Sequence, residues 1–137
     1  MDLDEAREFL RSNHRAVMAT TRRDGTPQMS PITVSVDSDG FAIVSSRETA
    51  MKVKNLRRDP RAWICVFVDS FYGGPFVQVE GDVTIVDLPE AMDGLIDYYR
   101  GISGEHPDWD DYRAAMVRDQ RVLIKLALTR AGPDAAG

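Results

Sequence analysis

Serine hydroxyls and cationic side chains meet in one short segment of the sequence. Ser45 and Ser46 end an apolar strand pattern, and Lys52 and Asn55 follow in the first turns of a basic helix that Pro60 ends. The first N–H groups of a helix have no backbone partner and carry partial positive charge, so an anion binds well there. These residue types and this spacing predict a phosphate-binding site at the start of the helix.

Charge singles out the same segment. Residues 47–61 hold six cationic and two acidic side chains, within a chain of net charge −5. A basic segment in an acidic chain indicates a local anionic ligand, because nucleic-acid binding calls for a basic face over much of a domain. Helical phasing sets Lys52 apart from a stripe of four cations and makes it the better phosphate partner. The stripe, which is either solvated surface or a contact for an acidic ligand tail, consists of Lys54, Arg57, Arg58 and Arg61.

Catalysis by side chains alone has little support, and we expect no catalytic or metal-binding set. His14 and His106 have no spacing typical of a metal site or a triad, and Cys65 lies inside an apolar run as a core residue would. An anion site without catalytic side chains suggests that a bound cofactor carries the reaction.

The segment 28–33 offers a surface for such a cofactor. It alternates polar and apolar residues, and Pro31 cannot donate to a strand ladder. Backbone groups at an edge or bulge there would face a planar ring. An ordinary barrel strand with one irregularity explains the pattern equally well.

Periodicity predicts one domain over residues 1–130 and a disordered tail over 131–137. A mainly β (α+β) fold is favoured, an antiparallel barrel with flanking helices. No apolar run is long enough to span a membrane and the first residues lack the basic start of a signal peptide, so we expect a cytoplasmic protein. The predicted strands cover 15–21, 27–36, 41–45, 61–68, 76–86 and 122–128, and the predicted helices cover 2–12, the basic segment to Asp59, a segment from 87 to Gly101, and 108–118.

Several motifs resemble the pyridoxamine 5′-phosphate oxidase-like split-barrel flavoproteins, and within them the F420 (deazaflavin)-dependent reductases. The resemblance covers roughly residues 5–128. Its motifs are Ala19-Thr20, Asp24-Gly25-x-Pro27-Gln28-x-Ser30, Lys52-x-x-Asn55-Leu56-Arg57-Arg58-Asp59-Pro60-Arg61-Ala62, Val79-Glu80-Gly81, and a run from Tyr98-Tyr99-Arg100 through Gly104-Glu105-His106-x-Asp108-Trp109-Asp110-Asp111-Tyr112 to Met116-Val117.

The resemblance implies a six-stranded antiparallel split β-barrel (FMN-binding split barrel) that forms a homodimer, with the cofactor in a groove between subunits. The expected activity is that of an F420H2-dependent oxidoreductase, which passes a hydride to an unsaturated or conjugated organic substrate. By position, the implied cofactor-binding residues are Gln28, Met29, Ser30, Pro31, Ser45, Ser46, Met51, Lys52, Asn55 and Phe76. Ala50 stands where related chains can carry an arginine that helps to hold the phosphate.

Two alternatives stay open: an FMN-dependent oxidase or reductase on the same site, and a non-catalytic F420-binding carrier. The expected partners are a small-molecule substrate and a second copy of the chain, with no nucleic acid and no membrane. A dimer would also bury a set of aromatic side chains, namely Trp63, Phe71, Tyr72, Phe76 and Trp109.

Overall fold

The structure is a computed structural model that describes residues 1–133, with four helices and seven strands. In chain order these are α1 (Leu3–Ser12), β1 (Arg15–Thr21), β2 (Pro27–Thr33), β3 (Ser35–Val36), β4 (Ala42–Arg47), α2 (Met51–Arg58), β5 (Arg61–Phe67), β6 (Phe76–Val86), α3 (Met92–Ser103), α4 (Trp109–Arg118) and β7 (Arg121–Gly132). No helix among the described residues is long and apolar enough to cross a membrane.

Local sequence signals explain most of these bounds. The Asp2 carboxylate accepts a hydrogen bond of 2.8 Å from Glu5 N–H and begins α1, which buries Ala6 and Leu10. Buried and less buried residues alternate along β1 and β5, as period-two patterning predicts.

All seven strands form one antiparallel sheet in the order β2-β1-β5-β6-β7-β4-β3. Its two edge strands are consecutive in the chain, since only Val34 separates β2 from β3. The sheet must therefore curl until its two edges meet at Val34. This confirms the split barrel predicted from the sequence.

The predicted count of six strands was wrong, because segment 27–36 is two strands. The Val34 N–H leaves the β2 ladder and donates to His14 O at 2.9 Å. Before this corner the chain pairs with β1, and after it Ser35 pairs with Ile43 of β4. Apolar and polar residues keep alternating in the sequence from Ile32 to Val36, although Val34 and Ser35 are both buried, so periodicity alone cannot locate the corner.

The second half of the chain differs from the sequence prediction in three places. Residues 87–91 form turns before α3, although a helix was expected to start there. Gly101 lies inside α3, which ends at Gly104, whose φ of 79° suits glycine. β7 runs on to Gly132 and so takes in two residues placed in the tail, while residues 134–137 lie outside the described part.

Two apolar clusters hold the fold together. One fills the barrel, with fully buried side chains such as Met18, Ile64 and Leu126. The other joins α3 and α4 to the outer face of β4 and β7 through Leu95, Ile96, Tyr112, Ile43 and Leu123. The helical pair is thereby fixed against the sheet next to the end of β4.

Candidate functional site

A cavity of about 680 Å³ opens where the edge of the barrel faces α2, α3 and α4. Its wall combines hydroxyls and cations with tyrosines, and the charge of Arg121 acts on both Tyr98 and Tyr112. No aspartate or glutamate of residues 1–133 is among its lining residues. The lining residues are Pro31, Ile32, Thr33, Ser45, Ser46, Arg47, Ala50, Lys52, Tyr98, Tyr99, Tyr112, Met116 and Arg121.

Three cations line this cavity. Arg47 at the end of β4 and Arg121 at the start of β7 are direct cross-strand partners, and Lys52 comes from the first turn of α2. The Nε of Arg121 is buried and has no hydrogen-bond partner in the described structure. The hydroxyl of Ser46 donates to Arg47 O at 3.1 Å, whereas Ser45 lies on the same face of β4 as Arg47.

The environment of Lys52 disfavours its charged form. Burial lowers the pKa of the Lys52 ammonium below its usual 10.5, and the charge of Arg121 lowers it further. The start of α2 adds to the positive potential, because its N-cap residue Ala50 supplies no side-chain cap. An anion bound near Lys52 would offset the effect of burial, the charge of Arg121 and the positive potential at the start of α2.

Tyrosines from α3 and α4 also line the cavity. The Tyr98 hydroxyl donates to Thr33 O at 3.1 Å and also contacts Thr33 Oγ1. The Tyr112 hydroxyl donates to Leu95 O at 2.7 Å, and burial raises the pKa of Tyr112 to about 12. Burial likewise raises the pKa of Tyr98. Both phenols therefore stay neutral at physiological pH and present hydrogen-bonded, largely apolar surfaces.

Two glycines of α3 bring this wall close to the barrel. Gly94, Tyr98 and Gly101 share one helix face, being four and three residues apart. A Cβ at Gly94 would lie 2.3 Å from Leu123 Cδ2, and one at Gly101 would lie 2.3 Å from Ser35 Oγ. The absence of side chains on both sides of Tyr98 lets the helix approach the sheet, so that the phenol reaches Thr33.

The structure brings four of the predicted cofactor-binding residues to the cavity, namely Pro31, Ser45, Ser46 and Lys52. Asn55 lies elsewhere: it is 2% exposed, and its Nδ2 donates to Thr20 Oγ1 at 3.1 Å, a contact between α2 and β1. Met51 is exposed beside a second depression, on the other side of the start of α2.

The remaining predicted residues do not line this cavity. Gln28 accepts a hydrogen bond of 3.3 Å from Thr20 Oγ1, Met29 is exposed, and Ser30 Oγ is buried without a partner in the described structure. Phe76 is exposed next to Trp63, at a separate groove beside β5 and β6. Within one chain, the expected ring-binding and phosphate-binding residues thus lie in several places.

The predicted stripe of four cations is largely engaged by neighbours, and it is not one helix face, because Arg61 lies in β5 after the end of α2. Arg57 pairs with Asp87 at 2.7 Å, and Arg61 pairs with Glu80 at 3.6 Å. Arg58 donates to Thr21 O and to Asn55 Oδ1. For Arg57 and Arg61 these ion pairs favour the interpretation of the stripe as solvated surface over that of a contact for an acidic ligand tail.

The sequence comparison decides the family. The model of the family described as pyridoxamine 5′-phosphate oxidase matches residues 3–132, almost the whole chain. The chain belongs to the pyridoxamine 5′-phosphate oxidase family. The match covers every strand of the barrel and each residue of the cavity.

Solved structures agree with the family fold. A conserved hypothetical protein from Mycobacterium tuberculosis is 24% identical with a TM-score of 0.78, and the alignment covers 100% of this chain and 92% of that one. An F420 reductase is 22% identical with a TM-score of 0.67, covering 91% and 94% of the two chains. A putative pyridoxamine 5′-phosphate oxidase from Listeria innocua is 15% identical with a TM-score of 0.65, covering 95% of each.

Family membership supports an oxidoreductase with a flavin-type cofactor, and the cavity fits such a group. The unpartnered Nε of Arg121 and the surplus of cations suit a phosphate, while the tyrosine wall suits a planar ring. Sequence reasoning missed Arg121, because its link to Lys52 depends on the register of β4 with β7. The pair Tyr98-Tyr99 lies in a motif of the resemblance, but the motif did not indicate its place in the cavity.

Proposed function

We propose that this chain is an F420H2-dependent oxidoreductase that transfers a hydride to an unsaturated or conjugated organic substrate. The observation that carries the proposal is that three cations and three tyrosines line one cavity whose lining, among the described residues, includes no carboxylate. When bound, the reduced deazaflavin would supply the hydride. The protein would then need to supply position, charge and exclusion of water.

The residues of the cavity suit these tasks. Lys52 and Ser45 would bind the phosphate, and the free N–H groups at the start of α2 would add to the site. Tyr98 and Tyr99 are partly exposed and offer aromatic surfaces against which a ring can pack, while the buried Tyr112 packs edge-on against Tyr99. The hydroxyls of Tyr98 and Tyr112 donate to backbone carbonyls, which leaves those faces fixed in orientation.

The second candidate is an FMN-dependent oxidase or reductase. The family match favours it, since the family's own description is that of pyridoxamine 5′-phosphate oxidase. FMN carries a dianionic phosphate monoester, which also suits a cavity lined by three cations. The third interpretation, a non-catalytic F420 carrier, uses the same contacts and differs only in turnover.

A homodimer is part of the proposal. Phe71, Tyr72 and Phe76 are 71%, 98% and 40% exposed, and they border a groove of about 790 Å³ together with Pro75 and Pro133. A second copy would cover this apolar surface. Trp109, which the sequence suggested for the same surface, instead packs in a cluster with Tyr99, His106 and Tyr112.

Side-by-side titration of the apo-protein with F420 and FMN tests the proposal. Quenching of F420 fluorescence and co-elution on gel filtration would support F420, and tighter binding of FMN would support the second candidate. Loss of F420H2 absorbance with a panel of conjugated enones and quinones then separates a reductase from a carrier. Failure to bind F420 contradicts the proposal.

A further inference from the structure

Cations without an acidic partner gather around the start of α2. Across residues 1–133, most lysines and arginines have a carboxylate within 4.0 Å. Those without one are Arg22, Arg23, Arg47, Lys52, Lys54, Arg58 and Arg121. Arg47, Lys52 and Arg121 line the cavity, and the other four line the depression on the far side of α2. In a chain of net charge −5, cations are thus concentrated on both sides of α2, and Asp24 is the single carboxylate among the described residues that line the two depressions.

Arg47 and Arg121 are the two cations of this group that are paired across neighbouring strands. They stand directly opposite each other in the ladder of β4 and β7, where like charges destabilise a sheet. Each forms a wall of the cavity that Lys52 also lines. The guanidinium of Arg121 has no hydrogen bond or ion pair in the described structure, and its Nε is buried. Glu48 borders the cleft behind Arg121 but forms no ion pair with it.

We propose that Arg121 and Arg47, together with Lys52, bind the phosphate of the cofactor, and that this anion stabilises their otherwise repulsive arrangement. The inference rests on the proposed function, since it assigns residues to the anion site of the same cavity. A phosphate offers several oxygens, which can accept from two guanidinium groups and one ammonium at once.

The test compares Arg121→Met with Arg57→Met in phosphate-free buffer of low ionic strength. The two variants lose the same net charge, but Arg57 pairs with Asp87 in the neighbouring cleft and does not line the cavity. Calorimetric titration with inorganic phosphate, and separately with FMN and F420, gives each affinity. We expect Arg121→Met to weaken binding of phosphate and of the preferred cofactor by about ten-fold or more, as loss of a charged hydrogen bond does. Arg57→Met should bind as the wild type does.

A thermal scan separates binding from a structural role. Without an anion, Arg121→Met should unfold at or above the wild-type temperature, because a repulsive contact is removed. Added phosphate should raise the wild-type midpoint and leave that of Arg121→Met nearly unchanged. If Arg121→Met does not fold, phenylglyoxal labelling of the wild type decides, because phosphate should protect Arg121 from modification.

Three results would overturn the inference: equal phosphate affinity in Arg121→Met and the wild type, equal losses in both variants, or no protection of Arg121. Its failure differs from that of the proposed function. If the wild type and Arg121→Met bind F420 equally, only the assignment of Arg121 fails. If phosphate binds through Arg121 but F420 does not bind, only the proposed function fails.

Discussion

The hydroxyl of Tyr98 donates to Thr33 O at 3.1 Å and so connects α3 to the edge strand β2 across one side of the cavity. This contact links the helical pair to the end of β2 that meets β3, where the sheet closes on itself. Tyr98 thus belongs both to the wall of the cavity and to the closure of the barrel.

Replacing Tyr98 by Phe removes this contact and keeps the ring. We expect a loss of about 1 kcal/mol in the free energy of unfolding, as for one hydrogen bond, measured by urea titration. Tyr72→Phe is the matched control, because Tyr72 is 98% exposed. Equal stability of Tyr98→Phe and the control would show that the connection contributes nothing.

The close approach of α3 predicts that alanine is unfavourable at Gly101, although alanine is the better helix former. The added Cβ would lie 2.3 Å from Ser35 Oγ and 3.3 Å from Ser35 Cβ, so the buried Ser35 side chain must rotate or the helix must shift away from β3. We expect Gly101→Ala to destabilise the protein by roughly 1–3 kcal/mol, the usual effect of overpacking. Cofactor affinity should fall as well, because Tyr98 moves with the helix.

A double-mutant cycle checks the cause. Ser35→Ala removes the oxygen that meets the new Cβ, so Ser35→Ala combined with Gly101→Ala should recover part of the loss. Strict additivity of the two changes would contradict the steric explanation.

The lowered pKa of Lys52 predicts a pH dependence of anion binding and of stability. Affinity for inorganic phosphate should fall as pH rises through this pKa, below the usual 10.5, because the ammonium loses its proton. Between the two pKa values the unfolded chain binds more protons than the folded one, so the unfolding free energy of the apo-protein rises with pH.

Calorimetry and urea unfolding over this pH range measure both effects. Lys52→Met should abolish them, whereas Lys54→Met, on the far side of α2, should retain them because Lys52 is still present. A wild-type phosphate affinity that does not change over this range would contradict the account.

Asn55 has a structural position, so its substitution should act on stability. The side chain is 2% exposed and joins α2 to β1 through Thr20. Asn55→Ala leaves a buried hydroxyl with one partner fewer, and we expect a loss of about 1–3 kcal/mol in unfolding free energy. Folded Asn55→Ala should still bind the cofactor; a stable variant without binding would instead support the phosphate role implied by the resemblance.

The proposed dimer is tested by light scattering. The chain has a mass of 15.3 kDa, and we expect a species of twice that mass. Tyr72→Asp should shift the equilibrium towards the monomer, because it places a charge in the apolar surface. A wild-type monomer at high concentration would contradict the dimer.

Local patterns predicted much of the fold. The bounds of β1 and β6 agree with the sequence prediction to the residue, because a half-buried strand shows a period of two. The break at Val34 and the helical Gly101 were missed, since both depend on contacts between distant segments. At Val34 the chain stops pairing with β1, as β2, and begins to pair with β4, as β3. Gly101 lies so close to Ser35 that a Cβ there would overlap Ser35 Oγ.

Only the part of the candidate site that is formed by residues close together in sequence could be predicted. Ser45, Ser46 and Lys52 lie close together in sequence, so strand and helix phasing could suggest one anion site. Arg121 is far from them along the chain and reaches the cavity only because β7 pairs with β4 in that register. Asn55 matches the motif of the resemblance, yet it faces the barrel, which a motif alone cannot show.

Titration of the apo-protein with F420, repeated with Lys52→Ala, shows whether the protein binds F420 and whether Lys52 belongs to the site. The account predicts saturable quenching of F420 fluorescence by the wild type, tighter binding of F420 than of FMN, and binding weakened about ten-fold or more in Lys52→Ala. Wild-type protein that leaves F420 fluorescence unchanged, or Lys52→Ala that binds F420 as tightly as the wild type, would contradict it.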